Sequence, residues 1–355
     1  MSQFALEAAR AARSDPRLAA TVSVSRQNEI FGDFAEFGDA LFAVDTYAAN
    51  HGAVTQAWRL APLRRRLMAR LRQDRTQAVI ELMPHVWSSF LAPAVQAAGA
   101  RYVTIVHDAD AHPGDHRTGW AQMLLQRAAQ RADRVLTLSG SVTDRLAAAG
   151  RIPREKLVTL FHPDLGYAPA LAPQPPASGA PLRLLFMGRI MPYKGLPVFL
   201  DAVEILRARN IPVEIGVFGE GTLGPDAARL VSLGAEVVNR WLSDAEIGAV
   251  LPRFHAMVLS HTEASQSGVA ATALGSGLPV IATPVGGLTE QISDGRTGLL
   301  ARRADAPALA EAFMRLAGDP QLYRDICLNI AGDKERRSMA RFVRDCVSAA
   351  LPAPP

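Results

Sequence analysis

The chain has 355 residues, 49% of them hydrophobic, with 38 Lys+Arg against 34 Asp+Glu. That length is too great for one comfortable core and points to two domains, while two cysteines, Cys327 and Cys346, are too few to staple it, which excludes a disulfide scaffold and fits a reducing cytosol. No apolar run reaches the roughly 18–20 residues that span a bilayer, and the opening MSQFALEAARAARSDPR lacks the apolar centre of a signal peptide, so the expectation is a cytoplasmic protein, soluble or peripheral.

From the N-terminus, residues 2–17 read as a helix and residues 20–24 as the strand after it. No strand precedes that helix, whereas a doubly wound domain normally opens on a central strand. Either the domain begins unusually or the true start lies upstream of Met1, and the second reading is preferred. Residues 1–170 carry 20 Lys+Arg and 16 Asp+Glu, so the excess charge sits in the first half. Much of it is local: from Trp58 through Arg75 the chain has seven arginines against Asp74. Leu63, Leu67, Met68 and Leu71 fall at helical spacing there, giving a basic amphipathic helix. Such a helix can rest on an anionic membrane surface, or it can be a solvated outer helix with its leucines in the core. No nucleic-acid motif accompanies it, and no nucleic-acid partner is expected.

Short β-type runs then alternate with helical stretches: 78–82, 102–106, 135–138 and 158–160, followed by 183–187, 213–217, 236–238, 256–259 and 279–282. This rhythm predicts an α/β protein with parallel sheets covered by helices. Between the two series, YAPALAPQPPASGAPL (167–182) reads as a linker. The expected architecture is therefore an N-terminal Rossmann-like domain (1–166), the linker, a second Rossmann-like domain (183–334) and a final helix (335–355) crossing back. The two doubly wound domains would face a cleft.

Lysine occurs only at 156, 194 and 334. In the run LLFMGRIMPYKGLPVFLDAVEIL (184–206) Lys194 stands between a strand and a helix, five residues after Arg189. A compact ammonium there suits a phosphate cluster at a helix start, where free N–H groups also point at an anion. Two solvated loop cations are the plainer alternative.

Taken with LSHTEASQSGVAATALGSGLPVIATPVGGLTEQISDGRTGLL (259–300), and more loosely with YVTIVHDADAHPG (102–114) and RADRVLTLSGSV (131–142), this run resembles the family 4 retaining glycosyltransferases of the GT-B fold, group 1 type. The resemblance implies a hexosyltransferase that moves a sugar from a nucleotide diphosphate sugar donor to a glycan or lipid-linked acceptor, in bacterial cell-surface or exopolysaccharide synthesis. By resemblance, Arg189 and Lys194 hold the diphosphate without a metal, and no cofactor is expected. Gly188, Gly219, Ser267, Gly268 and Val269 approach the donor through their backbone, Glu263 takes the sugar hydroxyls, Glu290 lies near the floor of the site, and His107 sits at the reacting face.

Each has a plainer alternative: Glu263 or Ser265 could cap a helix, Glu290 likewise, and a histidine after a strand is often structural. Asp108-Ala109-Asp110, with His107, His112 and His116 nearby, has the composition of a metal site but reads as a turn around Pro113-Gly114. The family's usual second glutamate is missing: Thr272 stands in its place, with one hydroxyl to offer instead of a charge. A nucleotide-sugar epimerase, or a non-catalytic partner of a glycan-assembly complex, are the alternative functions.

Overall fold

The computed structural model describes residues 2–47, 52–110, 119–167, 172, 174–177 and 179–351. His112, Pro113, Gly114, His116 and much of the expected linker lie outside that set. The chain forms two compact units, one from Met1–Ala109, His116–Phe161 and Met339–Pro355, the other from Asp110–Asp115 and His162–Ser338.

In the first unit, helix Ser2–Ser14 leads into β1 (Val22–Ser25), which pairs in parallel with β2 (Leu41–Val44). The helix ends before residue 17 because Pro16 pulls its predecessor out of helical backbone. β2, four residues behind a 3-10 stretch, went unexpected: it is too short to show a period. A separate parallel sheet follows in chain order, β3 (Ala78–Glu81), β4 (Arg101–Val106), β5 (Arg134–Thr137) and β6 (Leu157–Thr159). Helices Leu60–Gln73, Ser88–Ala97 and Gly119–Arg131 run back over it to β3, β4 and β5.

The basic helix Leu60–Gln73 buries Leu63 and Leu71 and half-buries Leu67 and Met68. Its leucine face is therefore spent on the protein core, and only its arginine face meets solvent. In Ser88–Ala97, Pro93 has no N–H for the Ser89 carbonyl, and the Arg131 guanidinium donates to that carbonyl instead. The expected final helix (335–355) is broken: residues Glu335–Arg337 form a 3-10 turn, Ser338 is extended, and the helix proper is Met339–Ala350. Phe342 on it meets Phe4 at 5.5 Å and Phe161 at 6.0 Å between ring centroids.

The second unit holds six parallel strands: β7 (Leu182–Met187), β8 (Val213–Phe218), β9 (Glu236–Val238), β10 (Ala256–Leu259), β11 (Val280–Ala282) and β12 (Gly298–Leu300). Their order across the sheet is β12-β11-β10-β7-β8-β9. β12 has no counterpart among the strands expected from the sequence. Helix Leu196–Ala208 buries Phe199, Leu200, Val203 and Leu206 on the sheet, and Phe313 from helix Ala306–Gly318 meets Phe199 edge-on at 6.1 Å. Each such side chain contributes about 1.5–3 kcal/mol by leaving water.

That strand order winds outward in both directions from β7 and β10. The crevice where such a sheet changes direction, beyond the carboxyl ends of its two central strands, is where ligands bind in open α/β sheets. The loops leaving β7 and β10 hold Arg189, Lys194 and Glu263.

Candidate active site

The loop after β7 is pinned at both ends. Gly188 N–H donates to Phe218 O (2.9 Å) and Ile190 N–H to Glu220 O (2.8 Å), so the loop lies along the end of β8. A 3-10 turn, Pro192–Lys194, then passes through Gly195 into helix Leu196–Ala208. Gly195 has φ +68°, and a Cβ there would stand 2.0 Å from the Ser260 carbonyl oxygen. The close approach lets Ser260 Oγ donate to Gly195 O (2.8 Å), while Thr262 N–H donates to Tyr193 O (2.9 Å). Gly195→Ala is therefore expected to destabilise the second unit by at least about 2 kcal/mol, from backbone strain before any clash, read as a lowered urea midpoint.

Within this frame Lys194 is half-buried, and its Nζ donates to His261 Nε2 at 2.9 Å. The ammonium also stands 5.4 Å from the Tyr193 ring centroid. His261 is buried, and Thr283 Oγ1 holds its carbonyl at 2.5 Å. Since an ammonium only donates, His261 accepts at Nε2. Arg189 is exposed and makes no side-chain bond among the described residues. Helix Leu196–Ala208 begins without a side-chain cap, so its first N–H groups and positive dipole end face the same loop.

After β10, Glu263 is half-buried on the loop leading to helix Gly268–Gly275. The cap of that helix is Ser267, whose Oγ accepts from Ala270 N–H at 3.2 Å, and not Glu263 or Ser265. Gln291 braces the turn: its Oε1 accepts from Ser267 N–H (2.7 Å) and its Nε2 donates to Ser267 O (3.1 Å). Gly286, at φ +47°, lets the chain pass so close that a Cβ would stand 1.8 Å from Ala264 O. Gly287 N–H donates to that same oxygen at 3.1 Å.

The structure thus brings the second-unit candidates together. A Cβ on Gly188 would lie 3.0 Å from Val269 Cγ2, and one on Gly219 would lie 2.1 Å from Gly188 O, so these three positions meet at the strand ends. Glu290, exposed, sits in the short helix Leu288–Gln291 beside the bracing Gln291. Thr272 lies one turn into its helix, buried, with its hydroxyl proton given to Gly268 O at 3.0 Å. Its remaining capacity toward a ligand is as an acceptor.

His107 belongs to the first unit. It is buried, donates from Nε2 to Leu82 O (2.8 Å), and packs edge-on against Phe4 at 5.9 Å. His261 and Gln291 were not singled out in the sequence; the signal for His261 was a polar residue two before Glu263, and for Gln291 there was none. Among the described residues, no group of three His, Cys, Asp or Glu side chains is placed to hold a metal, and no helix is long and apolar enough to cross a membrane.

The fold as a whole matches solved structures. Over 100% of this chain and 96% of the other, it superposes on HepE of Anabaena in complex with UDP and glucose, with a TM-score of 0.69 at 15% identity. It also covers 96% of the lipopolysaccharide outer core galactosyltransferase WaaB, with 98% of this chain, a TM-score of 0.69 and 17% identity. The architecture is that of a GT-B glycosyltransferase.

Two family models divide the chain between them: "Glycosyltransferase Family 4" over residues 34–162 and "Glycosyl transferases group 1" over residues 181–319. A glycogen synthase of Mycobacterium tuberculosis is 27% identical, covering 78% of this chain and 71% of that protein. A D-inositol 3-phosphate glycosyltransferase of Streptomyces avermitilis is 30% identical over 54% of this chain and 46% of its own length. The chain belongs to the family 4, group 1 glycosyltransferases, and it is a glycosyltransferase enzyme of the hexosyltransferase type.

Proposed function

We propose that this enzyme transfers a hexose from a nucleotide diphosphate sugar, with retention of anomeric configuration and without a metal, to a glycan or lipid-linked acceptor of a bacterial surface polysaccharide. The observation that carries the reading is the pairing, at the turning point of the second sheet, of an exposed Arg189 and a held Lys194 with an uncapped helix start. Departure of a nucleoside diphosphate builds negative charge, and cations fixed in advance around it lower the barrier. Glu263, on the neighbouring loop, accepts from the sugar hydroxyls. Backbone N–H groups at Gly268 and Val269, which intrahelical bonding does not satisfy, approach the donor from the other side. Glu290 supports the floor, and the leaving phosphate assists the incoming hydroxyl. Thr272, a neutral acceptor in place of a carboxylate, gives the nucleotide ribose a weaker hold. UDP and glucose bound to HepE make UDP-glucose the first donor to try.

The test is a thermal-shift panel of UDP, GDP and their sugars in the presence of a chelator. Stabilisation of a few degrees by one nucleotide, absent from Arg189→Ala, supports the reading; no response to any of them overturns it. Glu263→Gln is expected to lower kcat by about tenfold or more with nucleotide affinity kept, since the neutral amide still bonds ground-state hydroxyls but no longer with charge.

The arginine face of helix Leu60–Gln73 supports a place on the anionic inner surface of the membrane, where a lipid-linked acceptor would be met.

A further inference from the structure

The large apolar side chains that the first unit leaves exposed share one end of it. Val54 is 67% exposed, Trp58 70%, Phe90 48%, Trp120 38% and Met123 44%. Phe90 lies in the first turn of helix Ser88–Ala97, Trp120 and Met123 open helix Gly119–Arg131, and Val54 and Trp58 stand just ahead of helix Leu60–Gln73.

These three helices lead into β3, β4 and β5 of one parallel sheet, so all three begin at the carboxyl ends of the strands. Side chains confirm the alignment. Trp87 Nε1 donates to Ala53 O at 2.9 Å, and Leu60, Leu63, Trp87 and Leu91 pack in one cluster, which joins the starts of the first two helices. Gln96 Nε2 donates to Arg131 O at 3.0 Å, which joins the far ends of the second and third and sets them side by side. The three helices together contain seven arginines and no carboxylate; Arg64, Arg65 and Arg66 lie near the start of the first helix, and Arg70, Arg72 and Arg131 lie in last turns. Arg64 and Arg65 are exposed and form no ion pair among the described residues.

We propose that this end of the first unit is a membrane-docking edge: Trp58, Trp120 and their apolar neighbours enter the interface of an anionic phospholipid bilayer, and Arg64 and Arg65 behind them meet its headgroups. Tryptophan at the headgroup boundary and arginine against anionic lipid are the contacts such a surface offers. The leucines of the basic helix take no part, being buried in the core. The inference rests on the acceptor reading above, since docking at the strand ends of the first unit brings the enzyme to an acceptor held in the bilayer.

The experiment is co-sedimentation of the full chain with phosphatidylcholine vesicles with and without phosphatidylglycerol, alongside Trp58→Ser/Trp120→Ser, Arg64→Glu/Arg65→Glu and, as a control from the second unit, Trp241→Ser, which alters a side chain 64% exposed. Binding is expected only with phosphatidylglycerol, weakened about tenfold or more by either double variant and unchanged by the control. Unfolding midpoints and donor hydrolysis should stay at the parent value, which separates docking from folding and from the donor site. No binding of the parent chain, equal binding by the tryptophan variant, or equal loss in Trp241→Ser would overturn the proposal. So would a tryptophan-dependent association with soluble polysaccharide in place of vesicles. Vesicle binding without sugar transfer to any acceptor would instead sink the acceptor reading and leave the docking edge standing.

Discussion

Lys194→Ala is expected to lower sugar transfer by about 10²–10³-fold with the unfolding midpoint unchanged, because one preorganised charge at the developing diphosphate is worth that much. The fold should tolerate the loss: Lys194 is half-buried in a turn whose backbone is held independently by Ser260, Thr262 and Gly195. Arg189→Ala, at an exposed position, should behave alike. Lys194→Arg is not expected to rescue, since a planar fork on a longer stem cannot take the place of a point donor seated 2.9 Å from His261 Nε2. His261 is proposed to act through the lysine, as a positioning residue. His261→Ala should raise the donor KM and lower kcat by less than Lys194→Ala does, and His261→Gln, which keeps an acceptor, should recover most of the loss. Steady-state kinetics over a donor series reads all five. Parent turnover in both Lys194→Ala and Arg189→Ala would remove these residues from the site.

What could be read from the sequence was what short-range pattern encodes. Five of the six strands of the second unit were found within a residue or so because each is a short, mostly apolar run: Ala256–Leu259 is apolar throughout, and Val213–Phe218, apolar but for Glu214, stands between Pro212 and Gly219. Arg189 and Lys194 stood out through type and position, in a chain that otherwise avoids lysine. β2 and β12 were not legible: four and three residues long, they exist because a parallel neighbour supplies their hydrogen bonds, and partner strands far along the chain leave no local mark. The same holds for His261 and Gln291, whose importance lies in what they touch, Lys194 across 67 residues and Ser267 across 24. The basic helix marks another limit. Its period showed an apolar face but could not say whether protein or lipid receives it, and the structure gives Leu63 and Leu71 to the core. What is left for a membrane is the set of exposed side chains at the helix starts, which no periodicity connects.

Arg337→Ala is expected to destabilise the second unit by about 3–5 kcal/mol at pH 8, because it strands a buried carboxylate. Asp164 follows closely on the point where the chain enters that unit, and Arg337 precedes the point where it leaves. Arg337 Nε donates to Asp164 Oδ2 at 2.8 Å, with the two side chains only 16% and 8% exposed, and Asp164 N–H donates to Arg337 O at 2.9 Å. Burial pushes the Asp164 carboxyl up to about 6, with Arg337 pulling against it. A folded value above the unfolded one means that the folded chain holds the proton more tightly between about pH 4 and 6. Stability from this group therefore falls as pH rises through that window, and the cost is complete above it. Without Arg337 nothing pulls the carboxyl down, so the penalty of ionising it grows. The variant should be weakest at neutral and alkaline pH and recover part of its stability on acidification. Arg337 also donates to Asp333 Oδ2 at 3.5 Å, but Asp333 has a second partner in Arg296 at 2.8 Å, so the carboxylate left stranded is that of Asp164. Adding Asp164→Asn should restore stability at pH 8 and flatten the pH response, because the amide carries no charge to strand. Urea unfolding of the parent, the single and the double variant at pH 5 and pH 8 decides it: an Arg337→Ala loss of equal size at both, or no recovery in the double variant, would show that packing of the arginine stem, and not its charge on Asp164, ties these two segments together.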